Sequence, residues 1–164
     1  MWQEVIQKQI SLMKAIVKIK PLNEGAVVPF KTYSKDMCYD VVAVSEEEVA
    51  PNVWKYGLGF ACEMSLPEYD TDKCYSIDLR PRSSIWKTGM VLSNSIGTID
   101  YLYRGEISAV FYHMMPSMPR YKVGDKIGQI CISETPRIVF RVVDELNETD
   151  RGVSGYGSTG LNVE

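Results

Sequence analysis

Short runs in which apolar and polar residues alternate dominate this chain, and no long stretch repeats with the 3.6-residue period of a helix. In "CYSIDLRPRSS", Tyr75, Ile77 and Leu79 alternate with Ser76, Asp78 and Arg80. In "GEISAVFYHM", Ile107, Ala109 and Phe111 alternate with less apolar neighbours. "KAIVKIK", "YDVVAV", "GQICI" and "RIVFRVV" are further β-branched runs bounded by Pro, Gly, Asn or Asp. A period of two sends successive side chains to opposite faces, which suits strands with one face on a core. Many such strands with no helices to cover them predict an all-β sandwich, barrel or jelly roll. A Rossmann-type parallel sheet needs long crossover helices and is disfavoured. Only short helices are expected, in "WQEVIQKQISLM" and in "VVDELNETD".

A length of 164 residues suits one domain, which buries roughly 70% of its unfolded surface. The net charge of −3 gives no field that would draw nucleic acid or an anionic membrane. An anionic ligand would need local cations and a metal ion. The apolar runs fall far short of the ~18 residues of a membrane span, and the first twenty residues lack a signal-peptide pattern, so a cytoplasmic location is expected. Cys38, Cys62, Cys74 and Cys131 are widely spaced and His113 is the single histidine, too few for a zinc site or a Cys-His nucleophile pair. Buried free thiols are expected. Neither G-x-G-x-x-G nor a P-loop occurs.

Four segments are suited to chemistry. After the strand ending at Pro81, Arg82, Ser83 and Ser84 offer a guanidinium, two hydroxyls and consecutive backbone N–H groups, a set that suits phosphate oxygens or a plain polar turn. In "SNSIGTIDYLYRGEI", Asn94 and Gly97 both tolerate positive φ, so a tight hairpin is expected whose backbone could read a pyrimidine edge as a strand would. Asp100 follows at what reads as the buried margin of that hairpin, either as a base for water or as a turn cap. Tyr103 offers a face to a sugar or to the core. In "GDKIGQICI", Gln129 lies among apolar residues and needs a partner, from protein or solvent. In "DRGVSGYGSTG", four glycines allow an anion-binding nest, with Arg151, Ser158 and Thr159 adding donors and Tyr156 a ring; the composition equally fits a disordered terminus.

In chain order these segments resemble the five motifs of the homotrimeric deoxyuridine triphosphatase (dUTPase) family: "YDVVAV", "PRSSIWKTG", "SNSIGTIDYLYRGEI", "GDKIGQICI" and "RGVSGYGSTG". The likeness runs from about Lys14 to Thr159. Ser84 and Ser154 stand where that family has Gly, Tyr156 where it has Phe, and Cys38-Tyr39 where it has a small pair before Asp40.

The resemblance implies a jelly-roll-like (β-clip) subunit at residues 13–146, an N-terminal extension at 1–12, and a mobile arm at 147–164 that closes over the site. It implies a homotrimer with sites between subunits, dUTP as substrate and Mg²⁺ as cofactor. Asp100 would activate the water that attacks the α-phosphorus. Asp40 would order the water shell of Mg²⁺, and Arg82, Ser83, Ser84 and Gln129 would hold phosphates. Asn94 and the backbone of Gly97, Thr98, Ile99 and Asp100 would recognise uracil, with Ser108 nearby and Tyr103 against the deoxyribose. Arg151, Gly157, Ser158 and Thr159 would close on the β- and γ-phosphates, with Tyr156 stacked on the base.

Two rivals follow from related patterns. The dCTP deaminases share the "RSS" and "RG-x-I" segments but carry a catalytic Glu where this chain has Val110. A nucleotide-gated regulatory partner role would use a surface such as Glu46 to Glu48 with Trp54. That stretch also fits a solvated loop leading into a strand.

Overall fold

The computed structural model describes residues 15–65 and 73–156. The expected helix in "WQEVIQKQISLM", the extension at 1–12, and Gly157, Ser158 and Thr159 lie outside the described residues. Among the described residues ten strands follow in chain order: β1 (Ile16–Pro21), β2 (Tyr39–Val42), β3 (Ser45–Ala50), β4 (Val53–Gly57), β5 (Phe60–Ser65), β6 (Lys73–Arg80), β7 (Met90–Leu92), β8 (Gly97–Asp100), β9 (Ser108–His113) and β10 (Lys126–Pro136). Every strand pairing is antiparallel.

The strands form two four-stranded sheets, ordered β2-β10-β6-β8 and β3-β4-β9-β7, and a two-stranded β1-β5 ribbon. This is the expected all-β, jelly-roll-like subunit. Inward residues of both larger sheets meet in one core, where Val41, Tyr56, Leu58, Phe60, Leu79, Phe111 and Ile127 are fully buried. Tyr56, Phe111 and Tyr121 pack edge-to-face with centroids 5.4–6.3 Å apart, worth about 0.5–1.5 kcal/mol per pair beyond the area buried. The Tyr56 hydroxyl donates to the Tyr121 carbonyl at 2.8 Å, so the ring is buried without stranding its oxygen.

The expected short helix in "VVDELNETD" does not form, and "RIVFRVV" is not a strand. Strand β10 ends at Pro136, and Val139, Phe140, Val142 and Leu146 lie at least 86% exposed. Burial, not propensity, stabilises a short element, and this chain offers that segment no face to pack on. The thiols also differ from expectation: Cys62 and Cys131 are buried, but Cys74 is exposed and Cys38 half-buried. Among the described residues, no helix is long and apolar enough to cross a membrane.

Candidate functional site

Strand β7 passes through a tight turn into β8. The left-handed residue of that turn is Ser95 (φ 60°), not Asn94 or Gly97 as expected. Its N–H donates to Leu92 O at 3.1 Å, and the Ile96 N–H donates to Asn94 O at 2.6 Å. Among the described residues, strand β8 is outermost in its sheet and pairs only with β6. On its other side alternate N–H and C=O groups meet no strand, so they can bond to the edge of a planar base.

A cavity of about 200 Å³ opens beside that edge, lined by Asn94, Gly97, Thr98, Ile99, Asp100, Tyr103, Glu106, Ile107 and Ser108. Seven of these nine were expected from sequence. Asp100 is exposed, not at a buried margin, so its carboxylate can meet water. Glu106 was missed. Its Oε1 accepts the Gly59 N–H at 2.9 Å, and its carbonyl accepts the Tyr103 hydroxyl at 3.2 Å. A side chain on Gly105 would collide with the Tyr103 ring, so this glycine lets the ring lie flat against the turn at the cavity wall. The sequence signal for Glu106, a charge beside a turn glycine, is too common to single out.

A second group forms across β2 and β10, where Asp40 and Gln129 are register partners. They share a cavity of about 280 Å³ with Phe30, Lys31, Thr32, Asp36, Met37 and Cys38. Arg82 Nε lies 3.1 Å from Asp40 Oδ1, and Lys126 Nζ lies 2.9 Å from Asp40 Oδ2. Arg82 leads into a 3-10 turn, Ser83–Lys87. The first bond of that turn runs from the Ile85 N–H to Arg82 O at 3.0 Å. The N–H groups of Ser83 and Ser84 precede it and take no part in the turn's own bonding. That leaves a guanidinium, two hydroxyls and two amides for an anion.

The two cavities share no lining residue. Strands β2 and β8 are the two edges of one sheet with β10 and β6 between them, a separation of about 14 Å at ~4.8 Å per strand. Among the described residues, those from 147 to 156 join neither group. The Arg151 Nε–H donates to Ser154 O at 3.0 Å, Gly152 is left-handed (φ 51°), and Tyr156 is fully exposed.

On the sheet face that carries Asp40 and Gln129, Asp78 is buried. It accepts from Ser133 Oγ at 2.6 Å, Arg80 Nη2 at 3.1 Å and Ser76 Oγ at 3.2 Å. Burial pushes its carboxyl up, but these three donors outweigh burial and hold it below the usual carboxylate value.

The position at which the deaminases carry their catalytic Glu holds an apolar side chain here. Val110 is half-buried on β9 opposite Lys55. Within the acidic run, Glu46 pairs with Arg120 at 3.0 Å, the Arg120 guanidinium lies 3.5 Å from the Trp54 ring centroid, Glu48 accepts the Asn52 N–H at 3.0 Å, and Glu47 is exposed.

The dUTPase family matches residues 24–160. The chain belongs to that family. A deoxyuridine 5'-triphosphate nucleotidohydrolase of Zymomonas mobilis is 32% identical over 91% of this chain and 100% of its own length. One from Corynebacterium diphtheriae is 42% identical over 90% of this chain and 95% of its own. The Staphylococcus bacteriophage 80alpha dUTPase, solved with dUPNHPP, has the same dUTPase fold, with a TM-score of 0.71 at 22% identity, covering 89% of this chain and 99% of that one. A phage phi11 dUTPase mutant, solved with a structural Mg(II) ion, superposes at 0.62 with 20% identity, over 79% of this chain and 97% of its own.

Proposed function

We infer that this dUTPase-family chain is a dUTP diphosphatase, converting dUTP and water to dUMP and pyrophosphate. The observation that carries the reading is the β8 cavity, where an unpaired strand edge, the Tyr103 ring and the Asp100 carboxylate line one space. A uracil pairing with the strand edge would offer carbonyl acceptors and one N–H donor. Cytosine would present an amino donor where uracil presents an acceptor, leaving a donor of the site unpaired at a cost of about 1–3 kcal/mol. A thymine methyl would press on the hairpin, and Tyr103 beside the sugar would leave no space for a 2′-hydroxyl.

Asp100 is the general base in this reading. Its carboxylate takes a proton from a water aimed at the α-phosphorus, and the pyrophosphate leaves on the far side. Phosphoryl transfer asks the protein mainly for positioning and charge stabilisation. Arg82 and the amides of Ser83 and Ser84 supply these to the phosphate chain, with Gln129 beside them.

The site suits a Mg²⁺ held mainly by the triphosphate. Among the described residues no cluster of three or more His, Cys, Asp or Glu side chains exists to cage an ion. Asp40 faces a cavity, and its lone pairs beyond those used by Arg82 and Lys126 can accept from metal-bound water. When bound, the ion neutralises phosphate charge that an acidic chain alone would repel.

The two half-sites stand about three strands apart in one subunit, and the exposed apolar segment around Val139 to Leu146 lacks a partner face. Both features support assembly as a homotrimer with each site built between subunits. The arm, with Arg151 and Tyr156, and with Gly157, Ser158 and Thr159 beyond them, would then close over a neighbour's site. Ten extended residues reach about 30 Å. Pyrophosphate release measured across dUTP, dTTP, dCTP and UTP tests the function. Strong preference for dUTP is expected, and equal rates on dCTP or UTP would refute the uracil-edge reading.

A further inference from the structure

Cys38 and Cys131 stand one residue beyond the last registered pair of the β2–β10 ladder, Tyr39 with Ile130. Asp40 sends its own N–H and C=O to Phe30, at 2.7 and 3.2 Å, away from β10. Its pair with Gln129 is therefore a non-hydrogen-bonded one. Alternation along an antiparallel ladder makes the position of Cys38 and Cys131 non-hydrogen-bonded as well. Such pairs have the closer Cα spacing, about 4.5 Å, within the ~4.4–6.8 Å that a disulfide spans. Both thiols are free, and burial first, then the neighbouring Cys38 thiol, pushes the Cys131 thiol above its ordinary value. Cys131 is 6% exposed, whereas Cys38 is half-buried and lines the Asp40 cavity, open to small solutes.

We propose that Cys38 and Cys131 are a redox modification site, joined reversibly into a cross-strand disulfide by oxidants of the peroxide class. The accessible Cys38 sulfur attacks one peroxide oxygen and breaks the O–O bond, giving a sulfenic acid and one water. The Cys131 sulfur then displaces the hydroxyl, forming the S–S bond and a second water. The two thiols lose two electrons and two protons, and hydrogen peroxide gains both. A dithiol reductant reverses the step by thiol–disulfide exchange. The bond would pin the segment before β2 to β10, two residues from Asp40 on one strand and from Gln129 on the other. This site does not rest on the proposed hydrolase activity. It also gives a use to the cysteine that stands where the family has a small residue.

Treatment of the full-length protein with hydrogen peroxide, followed by non-reducing peptide mapping by mass spectrometry, tests the proposal. The expected result is a peptide pair linking Cys38 to Cys131, 2 Da lighter than the reduced sum, lost on adding dithiothreitol and retained in Cys74→Ser. In Cys131→Ser, Cys38 should instead accumulate a dimedone-trappable sulfenic acid. Recovery of both thiols unmodified while Cys74 oxidises would overturn the proposal. So would conversion of Cys38 in the wild type to sulfinic acid without any link to Cys131.

Discussion

Arg82 Nε sits 3.1 Å from Asp40 Oδ1, tying the segment after β6 to β2 at the proposed phosphate half of the site. The opposite oxygen of the same carboxylate is held by Lys126 at 2.9 Å. Asp40 thus keeps its orientation before any ligand arrives, and Arg82 is held extended toward the Asp40–Gln129 cavity. An anionic phosphate chain would take over part of the Arg82 charge, so ligand and carboxylate share one guanidinium.

Replacing Lys126 by Met removes one anchor of Asp40 while keeping the length of the side chain. The pair is partly exposed, so its loss is worth about 1 kcal/mol. Steady-state kinetics should show KM for dUTP raised about fivefold with kcat nearly unchanged. A fall in kcat at constant KM would place Lys126 in the chemical step instead.

Asp100→Asn keeps the shape of the β8 cavity and removes the base. Turnover should fall by about 10²–10⁴, with binding of a non-hydrolysable dUTP analogue changed only a few-fold by calorimetry. Near-normal turnover would remove Asp100 from its assigned role.

Acid should weaken the fold through Asp78. Its folded pKa is depressed, because three donors outweigh burial. Its contribution is therefore complete above the unfolded value, about 3.9, and is lost as pH falls through the lower folded value. Asp78→Asn should cost about 1–3 kcal/mol at pH 7, and the gap in Tm to wild type should narrow below about pH 4. A gap independent of pH would show that packing, not charge, makes the difference.

The proposed base-recognition half was legible because it is contiguous: Asn94 to Ser108 run from the turn before β8, along β8 and through the next turn to the start of β9, so nearness in sequence brings them together. Alternation likewise marked β6 and β9; β9 buries one face, with Ala109, Phe111 and His113, whereas β6 also buries Asp78 on the face opposite Ile77 and Leu79. The rest depends on partners distant in sequence. Glu106 matters through Gly59, 47 residues away. The Arg82–Asp40–Lys126 arrangement joins three separate segments. The thiol pair emerges only from the register of β2 on β10. "RIVFRVV" has the composition of a strand, but among the described residues no sheet edge receives it. Ser95 took the left-handed position between two better-suited residues because the turn places its extreme there, and residue preference did not decide it.

Hydrolysis of dUTP in ¹⁸O-labelled water reads the proposed attack most directly. Water directed by Asp100 at the α-phosphorus leaves the heavy oxygen in dUMP and none in pyrophosphate, as mass spectrometry of both products would record. Label found in pyrophosphate, with unlabelled dUMP, would contradict it.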